Sequence, residues 1–304
     1  MLDSLYFWKN KGGGTSGYRF LPYIIILFVL CAGGAGAWYY FVILPEQKAR
    51  EEALARQQAA AQKLKNDIAS VNDFYAKSLE GAGIKETIRF LSEIRISSQK
   101  LSVLNLESEA FKCNTKSCSF SYEFRPGNVL ILPQKIFWGK NYNASVPAAK
   151  GKGKGKSKSA SDFEYKNIES RLNINDIQKN YKNKESLNLP PCGELVSYIL
   201  TYNSFVKSKA PKSNSDNDKI VIKKMPGSSV KDLEPQLVGK VKAYGLMAGS
   251  WELTVNNKSD LIAESIMDLQ LVLYKQAYRD AFIVKGIETS KKGIKVSGGL
   301  VCKV

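Results

Sequence analysis

The side chains best suited to chemistry in this sequence are its cysteines, four of which follow the single long apolar stretch: Cys113, Cys118, Cys192 and Cys302. No Cys-x-x-Cys motif of the kind that redox catalysis favours is present, and no spacing indicates convergence on one zinc ion. Cys113 and Cys118 flank a turn-rich link between two predicted strands, which can bring their sulfurs together. We therefore predict structural disulfides, with Cys192 and Cys302 joining a helix start to the last strand, although sequence alone does not determine which cysteines pair.

Histidine is absent from the whole chain. Its absence excludes Ser-His-Asp and Cys-His catalysis, His-ligated zinc and the usual proton shuttle at neutral pH. The glycine-rich run at residues 12–17 is not a phosphate loop, because no Lys-Ser/Thr pair ends it and no strand precedes it. We predict a protein that is not an enzyme and that holds no cofactor and no metal.

The net charge of +17 is spread through most of the chain. Its one local concentration is a Lys/Gly tract, whose lysines are Lys150, Lys152, Lys154, Lys156 and Lys158. Basic segments often bind nucleic acid or anionic membrane surfaces. This tract lacks the interleaved aromatic residues of a single-strand platform, so we expect a solvated loop and no nucleic-acid partner.

Residues 21–44 form an uncharged apolar stretch that is long enough to span a bilayer as a helix. Signal-peptide cleavage after Ala37 is the alternative, since Ala35-Gly36-Ala37 has the small-residue pattern that signal peptidase accepts. However, the apolar run continues to Leu44, and a mature chain starting at Trp38 would expose it to water. We expect an uncleaved anchor.

The flanking charges and the cysteines indicate how the anchor is oriented. The short tail carries Lys9, Lys11 and Arg19, which favours a cytoplasmic N-terminus, although basic residues also follow the span. Four cysteines beyond the span suit an oxidising compartment. We therefore expect a single-pass protein of the bacterial inner membrane with its C-terminal domain in the periplasm.

Two patterns predict that the anchor and the following helix pair with another helix. Within the span, Gly33 and Ala37 provide small residues at four-residue spacing. From Pro45 onward helix-forming residues dominate, and apolar residues recur with heptad spacing. These seam residues are Leu54, Ala61, Leu64, Ile68, Val71 and Tyr75. The alternative is an amphipathic helix lying on its own domain, but the position directly after an anchor favours a coiled-coil stalk.

The soluble part has a degenerate αββ repeat. A helix-patterned segment at 84–98 precedes strand-patterned segments at 101–113 and 118–124, and the same order recurs at 261–278, 281–287 and 294–302. Two such units pair into a ferredoxin-like α+β sandwich. A possible third unit beginning at residue 192 leaves a second arrangement open, in which residues 192–304 form the sandwich alone.

The predicted fold class is therefore α+β, with a single N-terminal transmembrane helix, a helical coiled-coil stalk and a ferredoxin-like αββ sandwich. The predicted segments are a cytoplasmic tail (1–20), the transmembrane helix (21–44), the stalk (45–80), a first αββ unit (81–142), a low-complexity linker (143–189) and a C-terminal ferredoxin-like domain (190–304).

This order of parts resembles the PilO-type bitopic inner-membrane proteins of type IV pilus and type II secretion systems. Residues 281–302 are most similar to the accessory proteins of type IVb-like pili. The resemblance implies a non-catalytic homo- or heterodimer that pairs with other inner-membrane assembly proteins and couples the cytoplasmic motor to the periplasmic apparatus. The Lys/Gly insert and the disulfides depart from the family pattern, which leaves open whether the domain pairs in the same way.

A second functional hypothesis belongs to a different class. The chain would be a membrane-anchored module that binds an anionic polymer, such as nucleic acid, cell wall or lipid head groups, through the Lys/Gly tract.

Overall fold

A computed structural model of the chain describes residues 21–101, 106–124, 133–145, 163–209, 217–256, 262–290 and 293–304. The contacts within it divide the chain into two compact units, with the division between Asn66 and Asp67. The tract at residues 150–158 lies outside the described residues.

The described part of the N-terminal unit, residues 21–66, is helical. It contains helix α1 (Leu21–Trp38), a π-helical turn (Tyr39–Ile43) and the first part of helix α2 (Leu44–Ser78). Among the described residues, one helix is long and apolar enough to cross a membrane, and it begins near the N-terminus. Pro45 explains the π-helical turn, because proline has no N–H to donate to the carbonyl four residues earlier and its ring clashes with that group.

The second unit is built on a seven-stranded sheet in the order β5-β2-β1-β8-β9-β7-β6, and every neighbouring pair is antiparallel. A separate two-stranded sheet pairs β3 with β4. The strands are β1 (Leu106–Asn114), β2 (Ser117–Phe124), β3 (Gln134–Phe137), β4 (Lys140–Asn143), β5 (Phe163–Glu169), β6 (Ile220–Gly227), β7 (Leu246–Asn256), β8 (Phe282–Ser290) and β9 (Gly293–Lys303).

Helices cover one face of the large sheet and form the main core with it. These are α3 (Ile84–Leu101), α5 (Cys192–Lys209) and α6 (Ile262–Tyr274), and α4 (Asp176–Lys182) is a further short helix. The Gln270 side-chain amide of α6 donates to the Ile88 carbonyl of α3 at 2.8 Å, which fixes these two helices side by side. The main core includes Trp251, Leu253 and Val255 of β7, Val296 and Leu300 of β9, and Ile266, Leu269 and Leu273 of α6.

The end of α2 packs on the opposite face of the sheet. Leu246 and Val301 are buried and alternate with the main-core residues of their strands, so they point to this other side. The Lys285 ammonium of β8 donates a hydrogen bond to the Lys77 carbonyl at 2.7 Å. The negative end of the α2 dipole favours a cation at this position. Burial lowers the pKa of Lys285, and the charge of Glu80 opposes that shift.

The coarse fold prediction is confirmed, since the chain combines an N-terminal apolar helix with an α+β unit on an antiparallel sheet. Both predicted αββ units are present as α3-β1-β2 and α6-β8-β9. They share one sheet, in which Cys113 of β1 pairs with Ile287 of β8. The first strands of the two units, β1 and β8, are therefore neighbours, and the second strands, β2 and β9, flank this pair.

The prediction of a linker at 143–189 needs correction. Its described part contains β5, which pairs with β2 at the sheet edge, and helix α4. The period-two pattern of β5 is interrupted at Asn167, which has a φ of 55° next to a register shift, so the buried residues fall at Phe163, Tyr165 and Ile168. The compact unit runs from Asp67 to Val304, so residues 190–304 are not a separate domain.

Candidate interaction surfaces

The four cysteines beyond α1 form two pairs at disulfide-bonding distance, as predicted. Cys113 and Cys118 are direct partners in the β1–β2 ladder, with their Cα atoms 4.0 Å apart. Cys192 at the start of α5 joins Cys302 of β9, with a Cα separation of 5.0 Å and 110 residues between them in sequence. Closing a loop of that length stabilises a fold by about 4–5 kcal/mol in the chain-entropy model. The cysteines are therefore structural.

The predicted helix-pairing seam of α2 divides into two parts. Leu54 and Ala61 are exposed, and Leu64 and Ile68 are partly exposed. Val71 and Tyr75 are fully buried inside the second unit. The prediction that these last two residues face a partner helix is therefore wrong, because a heptad pattern serves a helix packed on its own domain equally well. We call Leu54, Ala61, Leu64 and Ile68 the exposed seam.

Tyr75 anchors the end of α2 through polar and aromatic contacts. Its hydroxyl donates to Glu234 Oε1 at 2.5 Å and accepts the Tyr244 backbone N–H at 2.9 Å. The rings of Tyr181 and Tyr244 lie 5.3 and 5.5 Å from the Tyr75 ring. Burial and the Glu234 carboxylate raise the pKa of Tyr75 far above its ordinary value, so the hydroxyl remains a donor.

Asn175 ties α2 to α4 and was not identified from the sequence. Its side-chain amide donates to the carbonyls of Leu79 and Gly81, each at 2.8 Å, and its oxygen caps α4 by accepting the Gln178 N–H. The only sequence signal is an asparagine directly before a helix, which predicts a cap but not the two carbonyl contacts.

The sheet edge at β6 is closed at its first residue. The Asn203 side chain of α5 donates to the Ile220 carbonyl and accepts the Ile220 N–H, each at 2.8 Å. Farther along β6, register shifts and Pro226 interrupt the edge. Such features discourage the addition of a further strand, so this edge is a poor surface for a partner.

The remaining predicted sites are placed as follows. Gly33 and Ala37 lie in α1 and are exposed, and a Cβ added at Gly33 would meet no atom within 4 Å. Within the described ranges, no group of three or more His, Cys, Asp or Glu side chains is arranged to hold a metal.

No protein-family model, curated protein or solved structure matches this chain.

Proposed function

We propose that this chain is a non-catalytic, single-pass membrane protein that pairs with a second helix through the exposed seam of α2. The observation that supports this proposal is the division of the heptad pattern. Val71 and Tyr75 fasten the helix end to its own unit, whereas Leu54 and Ala61 keep the same periodicity uncovered. An uncovered a/d seam is stabilised by association with another helix in a coiled coil.

The proposed location is the bacterial inner membrane, with the N-terminus in the cytoplasm and the second unit in the periplasm. The apolar helix supports membrane anchoring, and the two cysteine pairs at disulfide-bonding distance suit an oxidising compartment. Gly33 and Ala37 would extend the pairing surface into the bilayer, where small residues let helices approach closely.

The proposed machine is a type IV pilus or type II secretion system, in which this chain would be a PilO-type coupling component. Its support is the order of parts: an apolar helix, a long second helix, and two αββ units in one antiparallel sheet. The proposed likeness to a ferredoxin fold is a coarse one: two αββ units share one antiparallel sheet, with helices α3 and α6 on one face. Other inner-membrane assembly proteins are the expected partners.

A complementation experiment tests the proposed function. Ala61 lies in the exposed seam, and Ala59 is an equally exposed alanine of α2 that is out of phase with it. In a strain that lacks the gene, we expect Ala61→Glu to fail to restore pilus assembly or secretion and Ala59→Glu to restore it. Restoration by both variants would contradict pairing through the seam.

The gene neighbourhood gives a second test of the proposed function. We expect neighbouring genes for an assembly ATPase, a pilin and a secretin, and their absence would argue against a role in a pilus or secretion system.

A further inference from the structure

A lysine-lined cavity lies in the second unit, between α4 and the loop that precedes β7. Its volume is about 580 Å³, and its lining includes Lys182, Lys184, Lys240, Lys242, Tyr181 and Tyr244. Small-molecule sites in proteins have volumes of about 300–1,000 Å³, so this cavity has the size of a ligand site.

The lining of the cavity has charge of one sign only. It contains four lysines and no aspartate or glutamate. Lys223 and Lys295, elsewhere in the same unit, have Glu252 as an ion-pair partner. In the part of the chain that the structure describes, no ion pair involves any of the four cavity lysines. Uncompensated positive charges lining one concave site attract and concentrate anions there.

Contacts and backbone geometry position three of these lysines. The Lys242 ammonium donates to the Lys184 carbonyl at 2.6 Å and lies 5.3 Å from the centre of the Tyr244 ring. Lys184 has a φ of 58°, a left-handed backbone conformation that L side chains adopt rarely. Lys182 belongs to the last turn of α4, whose first turn Asn175 caps. The chain therefore holds two distant segments together at this cavity.

Two tyrosines, Tyr181 and Tyr244, line one side of the cavity. The rings of Tyr181 and Tyr244 lie 6.0 Å apart. The Tyr244 hydroxyl is buried and has no hydrogen-bond partner among the described residues. Buried hydroxyls are usually satisfied, so this one is an exception. Because the oxygen itself is buried, we assign the ligand contacts to the lysines and not to this hydroxyl.

We propose that this cavity binds a ligand bearing two or more phosphate groups. Four separate ammonium groups can each donate to a different oxygen of clustered phosphates, since lysine binds phosphate as a point charge. The phosphates can belong to a soluble oligophosphate or to lipid head groups. The proposal does not depend on helix pairing and uses residues separate from the tract at 150–158.

The test uses pyrophosphate and the full-length chain in nanodiscs of zwitterionic phosphatidylcholine, with binding followed by titration calorimetry. Lys182→Gln combined with Lys240→Gln removes two cavity charges, and Lys116→Gln combined with Lys224→Gln removes two exposed charges elsewhere. We expect the cavity pair to weaken binding by at least about tenfold and the control pair by less than about twofold. Lys182→Arg with Lys240→Arg should keep most of the affinity, and thermal unfolding checks that all variants fold.

Two further arms separate the sources of phosphate. Deletion of residues 150–158 should leave pyrophosphate binding unchanged. In nanodiscs that contain anionic phosphatidylglycerol, apparent pyrophosphate affinity will fall if lipid phosphates occupy the cavity and will stay constant if the ligand is soluble. The proposal is overturned if the native chain does not bind pyrophosphate, if the cavity pair binds as tightly as the native chain, or if only the deletion abolishes binding.

Discussion

At the residue scale, identical side chains in the second unit have opposite energetic roles. Tyr75 and Tyr244 are neighbours, but the Tyr75 hydroxyl has a donor and an acceptor partner whereas the buried Tyr244 hydroxyl has none. Burying an unpaired hydroxyl costs free energy, and removing a paired one leaves its partners unsatisfied. The same loss of one oxygen should therefore change stability in different directions.

The matched variants are Tyr75→Phe and Tyr244→Phe. We expect Tyr75→Phe to lower the free energy of unfolding by about 1–3 kcal/mol, because Glu234 and the Tyr244 N–H lose their partner. Tyr244→Phe should leave stability unchanged or raise it by about 1 kcal/mol. Denaturant unfolding of the full chain in detergent measures both values, and equal losses for the two variants would refute the hydrogen-bond assignment.

Glu109 gives a prediction for pH dependence. Burial raises the pKa of its carboxyl, while the Ser98 hydroxyl, which donates to it at 2.8 Å, and the Lys135 charge oppose the shift. Because the pKa is raised in the folded state, the folded chain binds more protons than the unfolded chain. The Glu109 carboxyl therefore contributes to the stability of the folded state at pH values below its ordinary pKa. That contribution is lost as the pH rises through the raised pKa. We expect the melting temperature of Glu109→Gln, relative to the native chain, to be higher at pH 7 than at pH 4. A constant difference across that range would contradict this account.

At the element scale, local patterns predicted which segments form helices and strands better than they predicted where those segments lie. The turn between Cys113 and Cys118 indicated a hairpin and a disulfide, and both are present. The heptad pattern could not reveal that Val71 and Tyr75 are buried by their own chain, because that depends on the distant residues Glu234 and Tyr244. The pairing of β1 with β8 is equally non-local, since about half of the chain separates the two strands.

The β8–β9 hairpin depends on a close approach at Gly298. A Cβ added there would lie 1.8 Å from the Ile283 carbonyl oxygen, whereas the nearest atom to a Cβ at Gly299 is 3.4 Å away. We therefore expect Gly298→Ala to lower the free energy of unfolding by about 3 kcal/mol or more and Gly299→Ala by less than about 1 kcal/mol. Chemical denaturation of the two variants measures the contrast, and similar values would be inconsistent with this strand packing.

At the scale of the whole molecule, the described chain consists of a long, apolar N-terminal helix and an α+β unit that contains two cysteine pairs at disulfide-bonding distance. The bridge between Cys192 and Cys302 joins the start of α5 to the last strand, and Asn175 joins α2 to α4. The cavity lysines could not be predicted as a site, because Lys182 and Lys240 each belong to an ordinary basic surface segment and meet only in the fold.

The Lys/Gly tract separates the two functional hypotheses stated from the sequence. If the chain works by helix pairing, deletion of residues 150–158 should leave pilus assembly or secretion unchanged. A binding module that uses this tract would lose its function on deletion. Counting pili or measuring secreted protein in a complemented strain distinguishes these outcomes.

The most direct test of the central claim is photo-cross-linking in cells from the exposed seam. A benzoylphenylalanine residue placed at Ala61 should form an adduct with a second copy of the chain or with another single-span assembly protein. The same group at Ala59, out of phase on the same exposed helix, should give little adduct. Equal adducts from both positions, or none from Ala61, would contradict pairing through the exposed seam.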